Sequence, residues 1–482
     1  MELASTGVAG LDVLLGGGLP RGRLHLIEGP PGAGKTTLGL EFVLAGVRIG
    51  ERCLYVTFGE TAAELADVAA SHGWSLDGLN IHDHPAEMEA TLANPQTVFH
   101  PAEVELTDAA RALKEGIARV RPQRAVIDGL SELRLLSGTA LDFRHQMMLL
   151  KRLFARPECT LLLLHDRNAV AEQAGLRTLA YGVVQLSQDT PEFGPQRRHL
   201  HVLKMRGRAF HSGYHDCRIV SGGMQVFPRL VAAEHRRDVA PGTASSGLPA
   251  LDAVLGGGLS RGTSCILVGP AGVGKSTCAL QFAVAAAERG EPSAIYLFEE
   301  SCSVLLRRAE GLGLPLGKHF ANGRIRILPV NLGEFMPGEF IAMVREEVAD
   351  GARLVIIDSL TGYARAMDDH ILLLSELLSY LGQQGVVSLL VVGQHGVGFP
   401  VGPPPVDVSY LADAVLMFRY YEFAGEVRRA VSAFKKRTGP HETTLRDFRL
   451  GATGIIIGEP LTEFHDILTG TPLRDGAHSG AG

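Results

Sequence analysis

Two segments of the sequence carry a glycine-rich pattern suited to binding phosphate. Residues 29–36 read GPPGAGKT and residues 269–276 read GPAGVGKS, so each has Gly-x-x-x-x-Gly-Lys followed by Thr or Ser. Glycines let the backbone turn until its N–H groups point at phosphate oxygens, and the start of a following helix adds positive potential. The pattern therefore predicts two nucleotide sites, with ATP and Mg²⁺ as the cofactors.

The side chains of each segment have separate tasks. The lysine reaches the β- and γ-phosphates, and the hydroxyl after it binds Mg²⁺. A carboxylate at the end of a buried strand completes such metal sites, and Asp128 and Asp358 each end an apolar run. The predicted metal ligands are Thr36, Asp128, Ser276 and Asp358. The predicted phosphate-binding residues are Gly29, Gly32, Gly34, Lys35, Thr36, Thr37, Gly269, Gly272, Gly274, Lys275, Ser276 and Thr277.

Carboxylates also follow the next predicted strand of each half. Glu299 and Glu300 stand there in the second half, whereas the first half has Gly59 and Glu60. A carboxylate at this place can orient or deprotonate a nucleophile near the γ-phosphate. Acidic residues at a strand end can equally be solvated groups with no chemical task, and the spacing alone leaves both readings open.

Basic residues recur late in each half. Lys204 and Arg206 stand in the first half, and Lys435 and Arg437 in the second. Such side chains could reach the γ-phosphate held by a neighbouring subunit and act as fingers. Spacing alone favours the simpler alternative, a solvated charged patch.

These motifs are repeated because the chain is a duplication. Residues 11–22 (LDVLLGGGLPRG) and 251–262 (LDAVLGGGLSRG) agree at nine of twelve positions with an offset of 240. An offset this long means two whole domains in tandem rather than a solenoid. We place the domains at 1–240 and 241–474, because charged and turn-forming residues meet near the boundary, and we expect a flexible tail over 475–482.

The elements that must position the motifs follow from the hydrophobic pattern. Short apolar runs over 24–28 and 264–268 predict strands before the glycine loops, and helical periodicity predicts helices over 35–48 and 275–288. Strand and helix alternate, so each half is predicted to be α/β, with a mostly parallel sheet flanked by helices.

Composition limits the class of protein. The 482 residues are 46% apolar and carry a net charge of −6, which argues against a disordered chain and against nucleic-acid binding by bulk charge. No apolar run approaches the roughly 18 residues of a membrane helix, and no leader is visible, so we expect a cytoplasmic protein without membrane partners. The six cysteines form no C-x-x-C pair, so we expect free thiols rather than zinc.

Taken together, the motifs resemble the KaiC family of circadian-clock ATPases, within the RecA-like P-loop group. The resemblance covers essentially the whole chain, including both GGGL-x-RG segments, both P-loops, both aspartate strands and both Lys-x-Arg segments. It implies two tandem RecA-like domains, a double-ring homohexamer with ATP between subunits, and small KaiA- and KaiB-type adaptors as partners. It also implies ATP hydrolysis in the first ring and autokinase chemistry on a neighbouring Ser and Thr in the second.

The resemblance assigns roles to particular residues. Lys204, Arg206, Lys435 and Arg437 would act on a neighbouring subunit's nucleotide, and Glu299 would be the general base, supported by Glu300. Ser409 falls on the family's acceptor serine, whereas Tyr410 stands where the family has threonine. Gly59 likewise stands where the family has its first glutamate. We therefore expect phosphorylation of Ser409 alone and most of the ATPase activity in the second ring.

The leading hypothesis is an ATP-hydrolysing homohexamer with a serine autokinase ring that serves as a signalling or timing switch. One alternative is a RecA- or DnaB-like motor on DNA or RNA, although the sequence shows no basic module for it. Another is a scaffold in which ATP only joins the subunits.

Overall fold

A computed structural model describes residues 2–84, 117–131, 140–154, 158–166, 170–191, 194–331, 333–366, 370–394, 410–462, 464–465 and 473–474. The chain forms two compact units, Met1–Arg229 and Leu230–Gly482. Residues 230–240 thus belong with the second unit, although the sequence places them at the end of the first. The physical reason is that Leu230 and Ala232 are buried in the second unit's hydrophobic core.

The first unit begins with a small ribbon and continues as alternating strands and helices. Its strands are β1 (Leu3–Ala4), β2 (Leu19–Pro20), β3 (Leu24–Gly29), β4 (Cys53–Thr57), β5 (Leu79–Asp83), β6 (Arg124–Asp128), β7 (Thr160–Asp166), β8 (Gly182–Asp189), β9 (Arg197–Met205), β10 (Tyr214–Val220) and β11 (Gly223–Phe227). Its helices are α1 (Ala9–Leu14), α2 (Lys35–Arg48), α3 (Ala62–Ser71), α4 (Ala140–Leu153) and α5 (Val170–Leu179).

The second unit repeats this plan after a 3₁₀ turn at Ala232–His235. Its strands are β12 (Thr243–Ala244), β13 (Leu259–Ser260), β14 (Ser264–Gly269), β15 (Ser293–Leu297), β16 (Ile325–Pro329), β17 (Leu354–Asp358), β18 (Val387–Gly393), β19 (Ala414–Phe423), β20 (Glu426–Lys436), β21 (Arg446–Gly451), β22 (Gly454–Pro460), β23 (Phe464–His465) and β24 (Leu473–Arg474). Its helices are α6 (Pro249–Val254), α7 (Lys275–Glu288), α8 (Cys302–Gly311), α9 (Leu316–Ala321), α10 (Pro337–Ala349), α11 (Leu360–Ala366) and α12 (His370–Gln383).

Within the described residues, each unit is built on a nine-stranded sheet with the same strand order. The first sheet runs β11-β10-β9-β8-β3-β7-β6-β4-β5, and the second runs β22-β21-β20-β19-β14-β18-β17-β15-β16. In the first sheet the six strands from β8 to β5 are parallel, and β9, β10 and β11 continue it antiparallel. The predicted α/β architecture, a mostly parallel sheet flanked by helices, is confirmed in both halves.

The sheet gathers chemistry at one edge because parallel strands all end on the same side. We call this side of each sheet the carboxyl edge and the opposite side the amino edge. In the first sheet the four adjacent parallel strands β3, β7, β6 and β4 finish at this edge with Gly29, Asp166, Asp128 and Thr57. The glycine loops leave from this edge and lead into α2 and α7, whose bounds match the predicted helices.

Glycine is required where each loop enters its helix. Gly34 has φ +98° and Gly274 has φ +111°, a left-handed conformation that strains other residues. A Cβ atom on Gly34 would also lie 2.7 Å from Met224 Cε. The tight approach holds the start of α2 against the antiparallel end of the sheet and aims its free N–H groups at the carboxyl edge.

A buried acid lies in helix α2, inside the first unit's core. Glu41 is 6% exposed, and its Oε2 accepts a hydrogen bond from the Met224 N–H at 3.2 Å. Burial raises the pKa of Glu41 to about 8, and the Met224 N–H and the Arg48 charge only partly oppose this. The position equivalent to Glu41 in the second unit, at the offset of 240, holds the neutral Gln281.

Replacing Glu41 should change how stability depends on pH. The folded-state pKa lies above the ordinary value, so folding favours the neutral acid, and stability is lost as pH rises toward 8. We expect Glu41→Gln to raise the unfolding temperature of the first unit at about pH 8.5 by several degrees and to flatten its pH profile. Calorimetry at several pH values measures this, with Gln281→Glu as the reciprocal control. Parallel pH profiles for wild type and Glu41→Gln would contradict the prediction.

Candidate nucleotide-binding sites

The first site brings the predicted metal ligands into contact. Thr36 Oγ1 donates a hydrogen bond to Asp128 Oδ2 at 3.0 Å. The same oxygen accepts a 2.6 Å hydrogen bond from the hydroxyl of Tyr55, a buried residue of β4. Burial is the main cause that raises the pKa of Asp128, and both donors oppose it because they stabilise the charged form. Two donors thus hold one carboxylate oxygen where a cation would bind.

The first P-loop lysine is held by both the loop and a carboxylate. Lys35 Nζ donates to the carbonyl oxygens of Gly29 at 3.1 Å and Pro30 at 2.9 Å. It also lies 2.6 Å from Asp166 Oδ1, at the end of β7. Strand β7 pairs directly with the P-loop strand, with Asp166 opposite Gly29, which brings the two charges together.

Glu60 faces the same site with one oxygen unsatisfied. Its backbone is fixed by Thr57, whose Oγ1 donates to the Glu60 carbonyl at 2.6 Å and accepts from the Glu60 N–H at 3.0 Å. Its Oε2 is buried and has no hydrogen-bond partner among the residues that the structure describes. Burial, and then the charge of Asp128, raises the pKa of Glu60. A carboxylate with a free oxygen and a raised pKa is suited to orient water or to take a proton.

The second site keeps the same frame with different neighbours. Lys275 Nζ donates to the carbonyl oxygen of Pro270 at 2.8 Å, and burial lowers the pKa of Lys275 to about 8. Burial raises the pKa of Asp358, while a hydrogen bond from Ser276 works in the opposite direction. The predicted metal ligands Ser276 and Asp358 are therefore in contact here too.

The two acids of the second site have different surroundings. Glu300 is held by Arg308 of α8, which donates to both carboxylate oxygens at 3.2 and 2.7 Å. Arg308 also lies 3.5 Å from the hydroxyl of Thr277. Glu299 is exposed, and no hydrogen bond to its side chain occurs within the described part of the chain. Glu299 is thus the acid that is free to act on a nucleophile.

The basic pairs do not lie at the P-loop of their own unit. Lys204 pairs across the sheet with Val183, and Val183 pairs with Leu26, three residues before the end of β3. Its Nζ donates to the Arg177 carbonyl at 2.6 Å, and Arg206 donates to the Thr178 carbonyl at 2.8 Å. These contacts hold the pair toward the amino edge, away from the phosphate loop.

The second pair has the equivalent place. Lys435 lies opposite Val415, which pairs with Ile266 of the P-loop strand. Arg437 donates to the Tyr410 carbonyl at 2.9 Å and lies 3.6 Å from an oxygen of Asp413. The predicted acceptor Ser409 lies outside the described residues.

Three residues of these sites were not foreseen from the sequence. Tyr55 and Asp166 reach the first site, and Arg308 reaches the second. Asp166 had a visible signal, because it ends an apolar run in the same way as Asp128 does. The sequence carries no such signal for Tyr55 or Arg308. The partner of Tyr55 is 73 residues away and is brought near by the strand order, and the partner of Arg308 is 8 residues away and is brought near by helix packing.

The residues present fit a nucleoside triphosphate with a divalent cation. Each glycine loop has two glycines with positive φ, which turn the backbone in front of the helix, and each has a buried lysine beside it. Lys275 has no carboxylate partner among the described residues, so an anion would restore the stability of its charge. Hydroxyl and carboxylate oxygens supply the hard ligands that Mg²⁺ prefers. No group of three or more His, Cys, Asp or Glu in the described residues could hold a metal by itself.

Comparison with known proteins decides the family. A model of the family described as "ATPase: KaiC" matches twice, over residues 4–231 and 244–462. The chain belongs to the KaiC ATPase family. The resemblance inferred from the motifs is therefore confirmed, together with the tandem RecA-like domains and an ATP-binding protein of ATPase type.

Relatives of the KaiC family align along nearly the whole chain. The circadian clock oscillator protein KaiC of Acaryochloris marina is 24% identical over 97% of this chain and 91% of its own. That of a Nostoc species is 24% identical over 98% and 92%. The circadian clock protein KaiC3 of a Synechocystis species is 24% identical over 98% and 95%. Among the described residues, no helix is long and apolar enough to cross a membrane.

Nucleotide binding to the second site of this KaiC-family protein should weaken at alkaline pH. The free lysine has a pKa of about 8, and a bound triphosphate favours the charged form, so binding takes up a proton above that pH. In Lys35→Ala, which removes the first lysine, we expect affinity for a fluorescent ATP analogue to fall roughly tenfold from about pH 7 to about pH 9.

The matched control is Lys35→Ala with Lys275→Arg, because arginine stays charged throughout this range. Its affinity should vary much less with pH. If both proteins lose affinity to the same extent, the titrating group is not Lys275.

Proposed function

We propose that the protein is an ATP-hydrolysing homohexamer of KaiC type whose second ring is a serine autokinase and which acts as a signalling or timing switch. The observation that carries this proposal is the separation of each P-loop from the basic pair of its own unit. The loops lie at the carboxyl edge, whereas Lys204, Arg206, Lys435 and Arg437 are held toward the amino edge. Each site would thus gain its cations from a neighbouring copy, and small KaiA- and KaiB-type adaptors would read the assembly's state.

Hydrolysis in the first ring would use the groups at the carboxyl edge. The N–H groups at the start of α2 and the Lys35 ammonium would bind the phosphates, and Thr36 and Asp128 would hold Mg²⁺. When bound, Mg²⁺ neutralises the charge that develops on the phosphate oxygens. Glu60, with its unsatisfied oxygen, would orient a water and accept its proton as the water oxygen bonds to the γ-phosphorus and the bond from that phosphorus to ADP breaks.

Autokinase chemistry in the second ring would use Glu299 as the base. Arg308 donates a hydrogen bond to each carboxylate oxygen of Glu300, which holds this acid in place at the strand end. Glu299 has no such hydrogen bond among the described residues. Glu299 would take the hydroxyl proton of Ser409 while the oxygen forms its bond to the γ-phosphorus and the bond to ADP breaks. Lys435 and Arg437 of a neighbouring copy would neutralise the charge on the transferred group.

One incubation tests assembly and phosphorylation together. With Mg-ATP, we expect a hexamer by native mass spectrometry and phosphate on Ser409, with little on Tyr410, because a phenol places its oxygen several ångströms further from the backbone. Glu299→Gln should abolish the label but keep the hexamer. Lys35→Ala with Lys275→Ala is the control and should remain smaller than a hexamer. An unlabelled Ser409 in an active hexamer would reduce the proposal to an ATPase.

The division of activity between the rings is a separate prediction. Gly59 leaves the first site one carboxylate short at this strand end, so we expect the second ring to supply most of the turnover. Steady-state ATPase assays compare Glu60→Gln with Glu299→Gln plus Glu300→Gln, and the second variant should lose more than half of the activity. Loss of nearly all turnover in Glu60→Gln alone would reverse the assignment.

A further inference from the structure

The two nucleotide sites differ at one position on the strand beside each P-loop strand. In the first unit, Asp166 of β7 lies opposite Gly29. In the second, Gly393 of β18 lies opposite Gly269 at the same place in the sheet. The duplication therefore offers one site with a carboxylate here and one site without it.

The carboxylate engages the lysine that must bind phosphate. Asp166 Oδ1 lies 2.6 Å from Lys35 Nζ, and the side chains are 30% and 9% exposed. Lys275 has no ion-pair partner in the part of the chain that the structure describes. Among the described residues, the first lysine is thus in a direct ion pair before a nucleotide arrives, whereas only the more distant charges of Asp358 and Glu299 act on the second.

A nucleotide at the first site must compete with this ion pair. The ammonium has to turn from Asp166 toward the β- and γ-phosphates, and the carboxylate then stays near the anionic ligand. Glu60 and Asp128 already place negative charge there, and the charge of Asp166 also acts on Glu60. Both the lost ion pair and the remaining repulsion lower the affinity for phosphate.

We propose that Asp166 is a positioning residue of the first nucleotide site, which holds Lys35 in the free protein and makes this site bind ATP more weakly than the second. This inference rests on the proposed function only in requiring that both P-loops bind ATP. Asp166 acts through Lys35, and the second site shows the same frame without it.

The test measures binding, not turnover, in the full-length chain. In a Lys275→Ala background, which leaves the first lysine intact, Asp166→Asn should tighten binding of a fluorescent ATP analogue roughly two- to tenfold. The gain should shrink at high ionic strength, because salt screens the ion pair that was removed. Damage to the fold would weaken binding instead, so the direction separates the two explanations.

The second unit supplies the reciprocal variant. Among the described residues, a Cβ on Gly393 would meet Thr361 Oγ1 at 3.8 Å, an ordinary van der Waals contact, so the backbone accepts a side chain at this position. In a Lys35→Ala background, Gly393→Asp should weaken binding of the same analogue by a similar factor, and Gly393→Asn should do so less.

Two results would overturn the proposal. One is unchanged or weaker binding in Asp166→Asn, and the other is unchanged binding in Gly393→Asp when calorimetry shows both variants folded. Failure of the requirement shared with the proposed function, ATP binding at both P-loops, is distinguishable, because the analogue would then not bind to the wild-type site concerned.

Discussion

Each nucleotide site depends on keeping one lysine ammonium charged at the edge of a largely buried sheet. Removing a cation from water is costly, and the chain offsets this cost differently in its two halves. Carbonyl oxygens of the glycine loop contact both lysines. Among the described residues, a carboxylate forms an ion pair with the first lysine but not with the second, and burial lowers the pKa of the second to about 8 against the more distant charges of Asp358 and Glu299. Phosphate binding therefore supplies negative charge that the protein itself provides only in part around these lysines.

The remaining structure follows from the need to hold groups around that lysine. Parallel strands in a fixed order bring residues from distant parts of the chain to one edge, where α2 or α7 begins. Burial of these strands on both faces fixes their register, which a slip would disrupt throughout the core. The frame is consequently conserved between the two halves of the chain, while the carboxylates at its edge differ. Gly59 and Asp166 in one half replace Glu299 and Gly393 in the other.

The sequence was sufficient for features that are encoded locally. The P-loop strands, the helices Lys35–Arg48 and Lys275–Glu288 and the α/β class follow from apolar runs and glycine spacing, and the structure confirms them. The contact of Asp166 with Lys35, which lie 131 residues apart, depends on the order of the strands, because β7 lies between β3 and β6 in the sheet. The hydrogen bond from the Tyr55 hydroxyl to Asp128 depends on the strand order in the same way. Arg308 was hidden for another reason, since only the packing of α8 turns it toward Glu300.

The separation of loop and basic pair has a thermodynamic consequence for the proposed assembly. If a neighbour's amino edge supplies the cations for a bound triphosphate, nucleotide and neighbour stabilise each other, because each favours the state in which the other is bound. Hydrolysis or phosphoryl transfer removes the γ-phosphate that those cations contact, so chemistry at one site would weaken the contact between copies. A switch of this kind needs no separate sensor. In the proposed assembly, the free energy that binds ATP would also join the subunits, and an ion pair such as Lys35 with Asp166 would set how much nucleotide is required.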